Sequence, residues 1–353
     1  MRHLYVHLPF CAHRCGYCDF VTATGRDHLH GAYIDALLRE LAEEHDGSPV
    51  ETIFLGGGTP TFTELPELLR LLGALPPADE LTVEANPETV TAELARALRG
   101  AGVNRVSLGA QTFQPHLLRV LERSATPAAV TRSFGLLRDA GFDNLSLDLI
   151  YGIPGQTPAH LAADLAHALA LQPDHISAYE LEAKPGTRFT IAHGAELERQ
   201  AEQMEDYFER VVATLTGAGF RWYETANFCR DGKRAAHNLG YWLGHDYLGI
   251  GVGAVSTLGG ERRRNTPKLS RYLRGDYGRE LEALDDETRA RERVMLGLRL
   301  DEPLPLAGLR DALDPAGLAR VEKLGLAEHD DETLALTERG RFLGGAVTAE
   351  LLN

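Results

Sequence analysis

Between residue 2 and about residue 190 the chain repeats one local pattern. A short run rich in β-branched and aromatic residues ends in a polar or glycine-bearing loop, and an amphipathic helical stretch follows. The runs are RHLYVHL (2–8), ETIFLG (51–56), ELTVEA (80–85), NRVSLGA (104–110), NLSLDLI (144–150) and HISAYEL (175–181). Helical stretches such as YIDALLRELAEE (33–44), LPELLRLLGAL (65–75), TAELARALRGAG (91–102) and AHLAADLAHALALQ (159–172) lie between them. Strand and helix alternating at this spacing imply βαβ units and a parallel sheet. Six such units with right-handed crossovers predict an α/β fold, a partial (β/α)6 barrel, with an open doubly wound sheet as the alternative.

The pattern breaks after residue 190. A helix is expected from Glu196 to Leu215, then a glycine- and aromatic-rich α+β stretch to residue 283. The last segment, 284–353, reads helix, helix, helix, hairpin, helix, with Asp330 and Asp331 at the hairpin turn. That order is winged-helix-like. The expected organisation is therefore a barrel at 1–190, an α+β region at 191–283 and a C-terminal module at 284–353. The module is not notably basic, which favours packing over DNA binding.

Charge supports that choice. The chain carries 36 basic against 51 acidic side chains, a net charge of -15. Sequence-independent nucleic-acid binding needs a basic field, so nucleic acid is not expected as a partner. No apolar run approaches the ~20 residues that cross a bilayer, and MRHLYVHLPF alternates like a strand instead of reading as a signal peptide. The expected location is the cytoplasm, where thiols stay reduced.

Three of the four cysteines, Cys11, Cys15 and Cys18, follow the first strand in PFCAHRCGYCDF. A structural zinc site usually takes four ligands, and His13 lies awkwardly between the first two thiols. Three thiolates on a four-iron cluster leave one iron open to an outside ligand. The C-x3-C-x2-C spacing with Tyr17 resembles the signature of the radical S-adenosylmethionine (SAM) family. That resemblance implies a [4Fe-4S] cluster whose open iron is chelated by SAM, and reductive cleavage of the sulfonium to a 5'-deoxyadenosyl radical. It also implies the partial barrel already read from the strand pattern.

Barrel enzymes collect functional groups at the C-terminal ends of their strands. After the second strand, Gly56, Gly57, Gly58, Thr59 and Pro60 resemble the family motif that holds the methionine amino group. Glu84, ending the third strand, corresponds to the carboxylate that takes the ribose diol. Gln111 points to the same face with an amide that both donates and accepts. By the same resemblance Arg123 is expected to meet the SAM carboxylate, with a surface arginine as the alternative. Asp148 puts an acid within an apolar run, a cost that needs a compensating role. Tyr5 belongs by resemblance to the adenosyl or substrate pocket. Tyr179 and the stretch Glu180 to Glu182 end the sixth strand without an assigned role.

YVHLPFCAHRCGYCDF, GGGTPT, GAQTF, LDLIYGIPGQT and HNLGYW together resemble a narrow subfamily that contains two groups. One is the oxygen-independent coproporphyrinogen III oxidases, which decarboxylate propionates in haem synthesis. The other is the haem chaperones of the HemW type, which bind haem and pass it to apoproteins. The oxidase motif continues to a further cysteine where this chain has Phe20, and the oxidases extend before their first strand. His237, Asn238, Tyr241 and Trp242 match the HNxxYW motif of the chaperones. An imidazole is a good axial haem ligand, the two aromatics offer flat faces, and Arg230, Lys233 and Arg234 suit propionates. Cys229 and His245 are further iron-ligand candidates, Cys229 reading better as a small buried hydrophobe. The resemblance thus implies haem and haem-accepting apoproteins as partners, and leaves acceptors at a membrane and a homodimer open. Whether SAM is cleaved stays open, because the same residues serve binding and cleavage.

Overall fold

The computed structural model describes residues 1–184 and 187–352. Strands β1 (His3–Leu8), β2 (Val50–Gly57), β3 (Ala78–Ala85), β4 (Arg105–Gln111), β5 (Leu145–Tyr151) and β6 (His175–Glu180) pair in sequence order, every pair parallel. The crossovers carry α1 (His30–Glu44), α2 (Leu65–Ala74), α3 (Ala92–Gly100), α4 (Pro115–Val120), α5 (Pro127–Asp139) and α6 (Pro158–Ala170). This is the expected partial barrel, with strand limits within two residues of those read from the sequence.

Side chains alternate across the sheet, as strand geometry dictates. Leu4, Val6, Leu8, Ile53, Leu55 and Val83 join the main hydrophobic core. The opposite, concave face carries Tyr5, Phe54, Glu84, Arg105, Ser107, Asp148 and Ser177, which line a cavity. A half-barrel with so polar an inner face needs hydrogen-bonding partners there, or each buried group costs free energy.

The helix expected from Glu196 to Leu215 is broken. α7 (Arg188–Gln200) ends in a 3-10 turn, and α8 (Met204–Gly217) starts afresh. The Gln200 side-chain amide is buried and donates to the carbonyls of Ile153 and Gln156. Those bonds anchor the break against the β5–α6 loop, a tertiary contact that local periodicity does not reveal.

Strands from the segment 191–283 extend the same sheet at both edges. β7 (Arg221–Trp222) and β8 (Asn227–Cys229) add antiparallel beyond β6. β9 (Tyr247–Ile250) pairs parallel with β1, and β10 (Val255–Leu258), β11 (Glu261–Arg264) and β12 (Glu280–Ala283) continue antiparallel. The twelve strands run β12-β11-β10-β9-β1-β2-β3-β4-β5-β6-β8-β7.

Between the two edges runs α9 (Ala236–Trp242), set against the concave face. Glu80 of β3 accepts from the amides of Ala236 and His237, both at 3.0 Å, meeting orphan donors at the helix start. The His237 ring lies over Phe54 at 5.3 Å. Gly240 is pressed so close to His3 that a β-carbon there would lie 2.5 Å from the imidazole. α10 (Leu269–Tyr272) follows at the β9 edge, and Tyr272 donates to the buried carboxylate of Glu40.

The C-terminal residues build a second core from Val294, Leu304, Leu313, Val321, Leu334 and Val347. It joins α11 (Asp286–Gly297), α12 (Pro315–Lys323), α13 (Glu338–Phe342) and α14 (Gly344–Leu351) to a small sheet of β13 (Leu304–Pro305), β14 (Ala327–His329) and β15 (Thr333–Leu336). Asp330 turns the hairpin by accepting from the amides of Glu332 and Thr333. Arg341 lies over the Trp222 ring at 3.6 Å and fastens this module to the main sheet.

The seating of α9 is testable. Gly240→Ala forces the helix off His3 and should destabilise the protein by about 1–3 kcal/mol. Thermal unfolding of the variant should show a clearly lowered Tm, and an unchanged Tm would contradict the close packing.

Candidate functional site

The C-terminal ends of the barrel strands open into a cavity of about 640 Å³. Cys11, Cys15 and Cys18 lie on its wall, half-buried and free of disulfides. Their loop leaves β1 at Pro9 and is pinned at its base, where Phe10–Cys11 pairs with Ala23–Thr24. Burial pushes all three thiols up, and the Arg123 guanidinium opposes that shift at each of them.

The glycines after β2 act as a hinge plate for this loop. Gly57 has φ +112°, and its amide donates to Glu84 at 3.2 Å. The amides of Gly58 and Thr59 donate to the carbonyls of Leu8 and Phe10 at 2.8 and 2.9 Å. A β-carbon on Gly58 would sit 2.6 Å from the Pro9 carbonyl group, so only glycine permits this approach. With the three amides spent, what this loop can offer an ammonium group is carbonyl oxygen.

Asn86, which the sequence reading passed over, ties Arg123 and Thr59 together along the cavity wall. Arg123 donates to Asn86 Oδ1 at 2.7 Å and to the Gly109 carbonyl at 3.0 Å. Asn86 Nδ2 donates to Thr59 Oγ1 at 2.8 Å. The Thr59 hydroxyl then faces Cys11 Sγ at 3.6 Å, leaving its proton for the sulfur. The Arg123 Nε is buried without a partner among the described residues.

The acidic groups sit deeper. Burial, reinforced by Asp148, pushes Glu84 up to about 8, against the Gly57 amide. Asp148 is also raised by burial, although serine hydroxyls oppose the shift. Ser107 donates to its two oxygens at 2.9 and 3.1 Å. Gln111 stands on a β-bulge with φ 65°, a left-handed conformation that few non-glycine residues adopt, and lines the cavity. The Tyr5 hydroxyl is fixed through His7: Nε2–H donates to the Val21 carbonyl, so Nδ1 accepts from Tyr5 at 3.0 Å. Tyr17 packs edge-on against Phe189, and Tyr179, Glu180 and Glu182 stand at the same cavity.

The structure therefore gathers Tyr5, Tyr17, Gly57, Gly58, Thr59, Glu84, Gln111, Arg123 and Asp148 with the three cysteines around one cavity. From HNxxYW only Asn238 joins them. His237 is buried beneath, with Nδ1 2.7 Å from Thr52 Oγ1 and Nε2 2.8 Å from the Tyr241 hydroxyl. Trp242 faces the other way, under the Arg299 guanidinium at 4.3 Å.

His237 ends a chain that starts at the surface. Arg2 reaches His245 Nε2 at 2.9 Å, His245 Nδ1 meets His3 Nε2 at 3.0 Å, and His3 Nδ1 meets Thr52 at 2.8 Å. Burial keeps the imidazoles neutral, moving His3 down to about 4 and His237 to about 3, and lowering His245. A guanidinium only donates, so Arg2 orients every link. Each histidine gives its Nδ1 proton inward, except His237, whose Nδ1 accepts from Thr52. His237 Nε2 consequently carries a proton and donates it to Tyr241.

The other haem-motif neighbours have partners of their own. Arg234 pairs with Glu302 at 2.7 Å and Lys233 with Asp143 at 3.7 Å. Arg230 lies over Phe220 at 4.5 Å. Cys229 is buried in β8, its thiol pushed up to about 11 by burial, as expected of a small hydrophobe.

The radical SAM superfamily matches residues 5–168, and the HemN C-terminal domain matches residues 284–343. Over its full length the chain is 34% identical to the heme chaperone HemW of Bacillus subtilis, covering 99% of that protein. It is 37% identical to the heme chaperone HemW of Mycobacterium tuberculosis over 99% of this chain and 94% of the relative. The chain belongs to the HemW family of radical SAM proteins. The solved structure of coproporphyrinogen III oxidase (HemN) from Escherichia coli also superimposes on the whole chain, with a TM-score of 0.84 and 26% identity, over 90% of its length.

Radical SAM proteins such as the HemW family hold a [4Fe-4S] cluster and SAM, and the donor set here fits both. Three soft thiols on one loop suit a cluster with one open iron, and the neighbouring His13 Nε2 is directed to the Glu122 carbonyl. Glu84, Gln111, Asp148 and the orphan Nε of Arg123 offer the acceptors and the cation that SAM requires.

Two outcomes are expected of this HemW-type site. Cys15→Ala should abolish the iron–sulfur absorbance of reconstituted protein, whereas Cys229→Ala should leave it intact; retention in the first would refute the three-thiol assignment. A cationic ligand donating a diol to Glu84 favours its ionised form. SAM binding at pH 7 should therefore release protons, and affinity should rise with pH up to about 8. Calorimetry in buffers of different ionisation enthalpy measures the release, and buffer-independent heats would contradict it.

Proposed function

We propose that this protein is a haem chaperone, binding haem and delivering it to acceptor proteins on a radical SAM scaffold. The observation that carries the reading is the end-to-end correspondence with relatives named heme chaperone HemW, which spans the HNxxYW segment as well as the barrel. Phe20 supports it, standing 61% exposed at the cavity where the oxidase motif continues to a cysteine.

In this reading Cys11, Cys15 and Cys18 hold the cluster. Tyr5, Tyr17, Gly57, Gly58, Thr59, Glu84, Gln111, Arg123 and Asp148 hold SAM. The bound pair supplies one-electron chemistry at the sulfonium. His237, Asn238, Tyr241 and Trp242 form the haem element. Haem iron needs the lone pair of an imidazole nitrogen, and His237 Nε2 is protonated and bonded to Tyr241 in the closed state. Ligation through Nε2 therefore requires α9 to release Tyr241 and the His237 proton to move to Nδ1, where the Thr52 oxygen can accept it beside the His3 Nδ1 proton. We assign the protein to the cytoplasm, with recipients that include apoproteins at the membrane and a homodimer as its assembly. No helix among the described residues is long and apolar enough to cross a membrane.

The structural likeness to the oxidase keeps one other reading in play, and one experiment separates them. Purified protein is titrated with haem while the Soret band is followed, beside His237→Ala. Saturable, stoichiometric binding with a weakened or altered spectrum in the variant is the expected result. Absence of saturable binding, together with anaerobic decarboxylation of coproporphyrinogen and release of 5'-deoxyadenosine, would overturn the chaperone reading in favour of the oxidase.

A further inference from the structure

One charged side chain of the barrel interior has no part in the site described so far. Arg105, at the start of β4, is 2% exposed and among the largest fully buried side chains. It nonetheless lines the cavity, and its Nε has no hydrogen-bond partner among the described residues. Leaving a guanidinium donor unmet in a buried setting is costly. An acceptor that enters the cavity can meet it.

The neighbours do not fill that role. Glu84 and Asp148 act on Arg105 through space, without a hydrogen bond. Asp148 turns its oxygens to the hydroxyls of Ser107 and Ser146. His175, which feels the Arg105 charge, is neutral and has both nitrogens engaged, by Ser146 and Tyr223, at 2.8 Å each. Glu80 is committed to the start of α9. Ser107, Ser177 and Asn238 line the same cavity and provide further donors.

We propose that Arg105 and Asn238 form a carboxylate subsite at the floor of the cavity, which takes a propionate of haem. A guanidinium fork matches a carboxylate with two parallel hydrogen bonds. One negative charge suits the site, because the two carboxyl groups already present disfavour a more highly charged anion. Asn238 is the member of HNxxYW that faces the cavity, so a propionate here touches the haem motif and the SAM chamber at once. The assignment rests on the haem-chaperone reading. SAM carries a carboxylate too, and the experiment must separate the two sources.

Cluster-loaded protein is titrated with haem and with haem dimethyl ester, whose propionates are blocked, and separately with SAM. Wild type should bind haem roughly ten- to a hundredfold more tightly than the ester, the range for hydrogen bonds to a charged group. Arg105→Gln should lose that preference, binding haem as weakly as the ester while retaining SAM affinity. Should Arg105→Gln fail to fold, Arg105→Lys keeps the charge without the fork, and an intermediate loss is expected. Equal binding of haem and ester by wild type overturns the subsite, as does a preference that survives in the variants. A selective loss of SAM affinity reassigns Arg105 to SAM and likewise overturns it. Failure of wild type to bind haem in any form instead overturns the chaperone reading itself.

Discussion

Two hydrogen bonds that Glu80 accepts from the first amides of α9 decide what kind of barrel this is. Six parallel strands whose inner face bears histidine, glutamate, arginine and serine form an unstable surface unless something polar is laid against it. α9 is that filling. Its backbone docks on a carboxylate, its imidazole lies on Phe54, and its glycine lets it sink onto His3. The helix thereby closes the lower half of the barrel and leaves the upper half as a chamber under the cysteine loop. Everything proposed for the site depends on that division.

The chamber and the plug are chemically joined at two levels. Along the wall, Arg123, Asn86 and Thr59 relay a set of hydrogen bonds to Cys11, so the group suited to an anion and the sulfur suited to iron share one framework. Below, the chain from Arg2 through His245, His3 and Thr52 fixes the proton on His237. The first arrangement holds electron-rich ligands in register. The second keeps the haem-motif nitrogen occupied until α9 shifts. A protein that must hold its cargo and later surrender it is served by such a latch, because hydrogen bonds already in place offset part of the iron–nitrogen bond.

Much of this was legible from residue order. The six strands and their crossovers follow from runs such as NLSLDLI, whose apolar alternation is local, and the cysteine spacing and GGGT motif are local as well. The residues brought to the cavity lie mainly at strand ends, and there a strand boundary is enough to place them. What local pattern does not show is pairing across hundreds of residues. β7 to β9 have two to four residues each and acquire their identity only from the edges they join. Asn86 and Arg105 were missed for a like reason, since an asparagine after a strand and an arginine before one are ordinary until their partners are known. His237 looked like a loop residue open to a ligand, and only Thr52, Phe54 and Tyr241 around it show that it is closed in.

The pairing of β9 with β1 also sets an order of events during synthesis. The first strand has β2 on one side, made soon after it, and β9 on the other, made only when residues 247–250 have emerged. The same late segment packs Gly253 against Val21 in the cysteine loop and places the Gly251 amide on Glu40 of α1. Contacts so distant in sequence form slowly, and a nascent barrel waits for them. The three thiols thus leave the ribosome well before the segment 247–253, and their loop gains its final support only once that segment has followed.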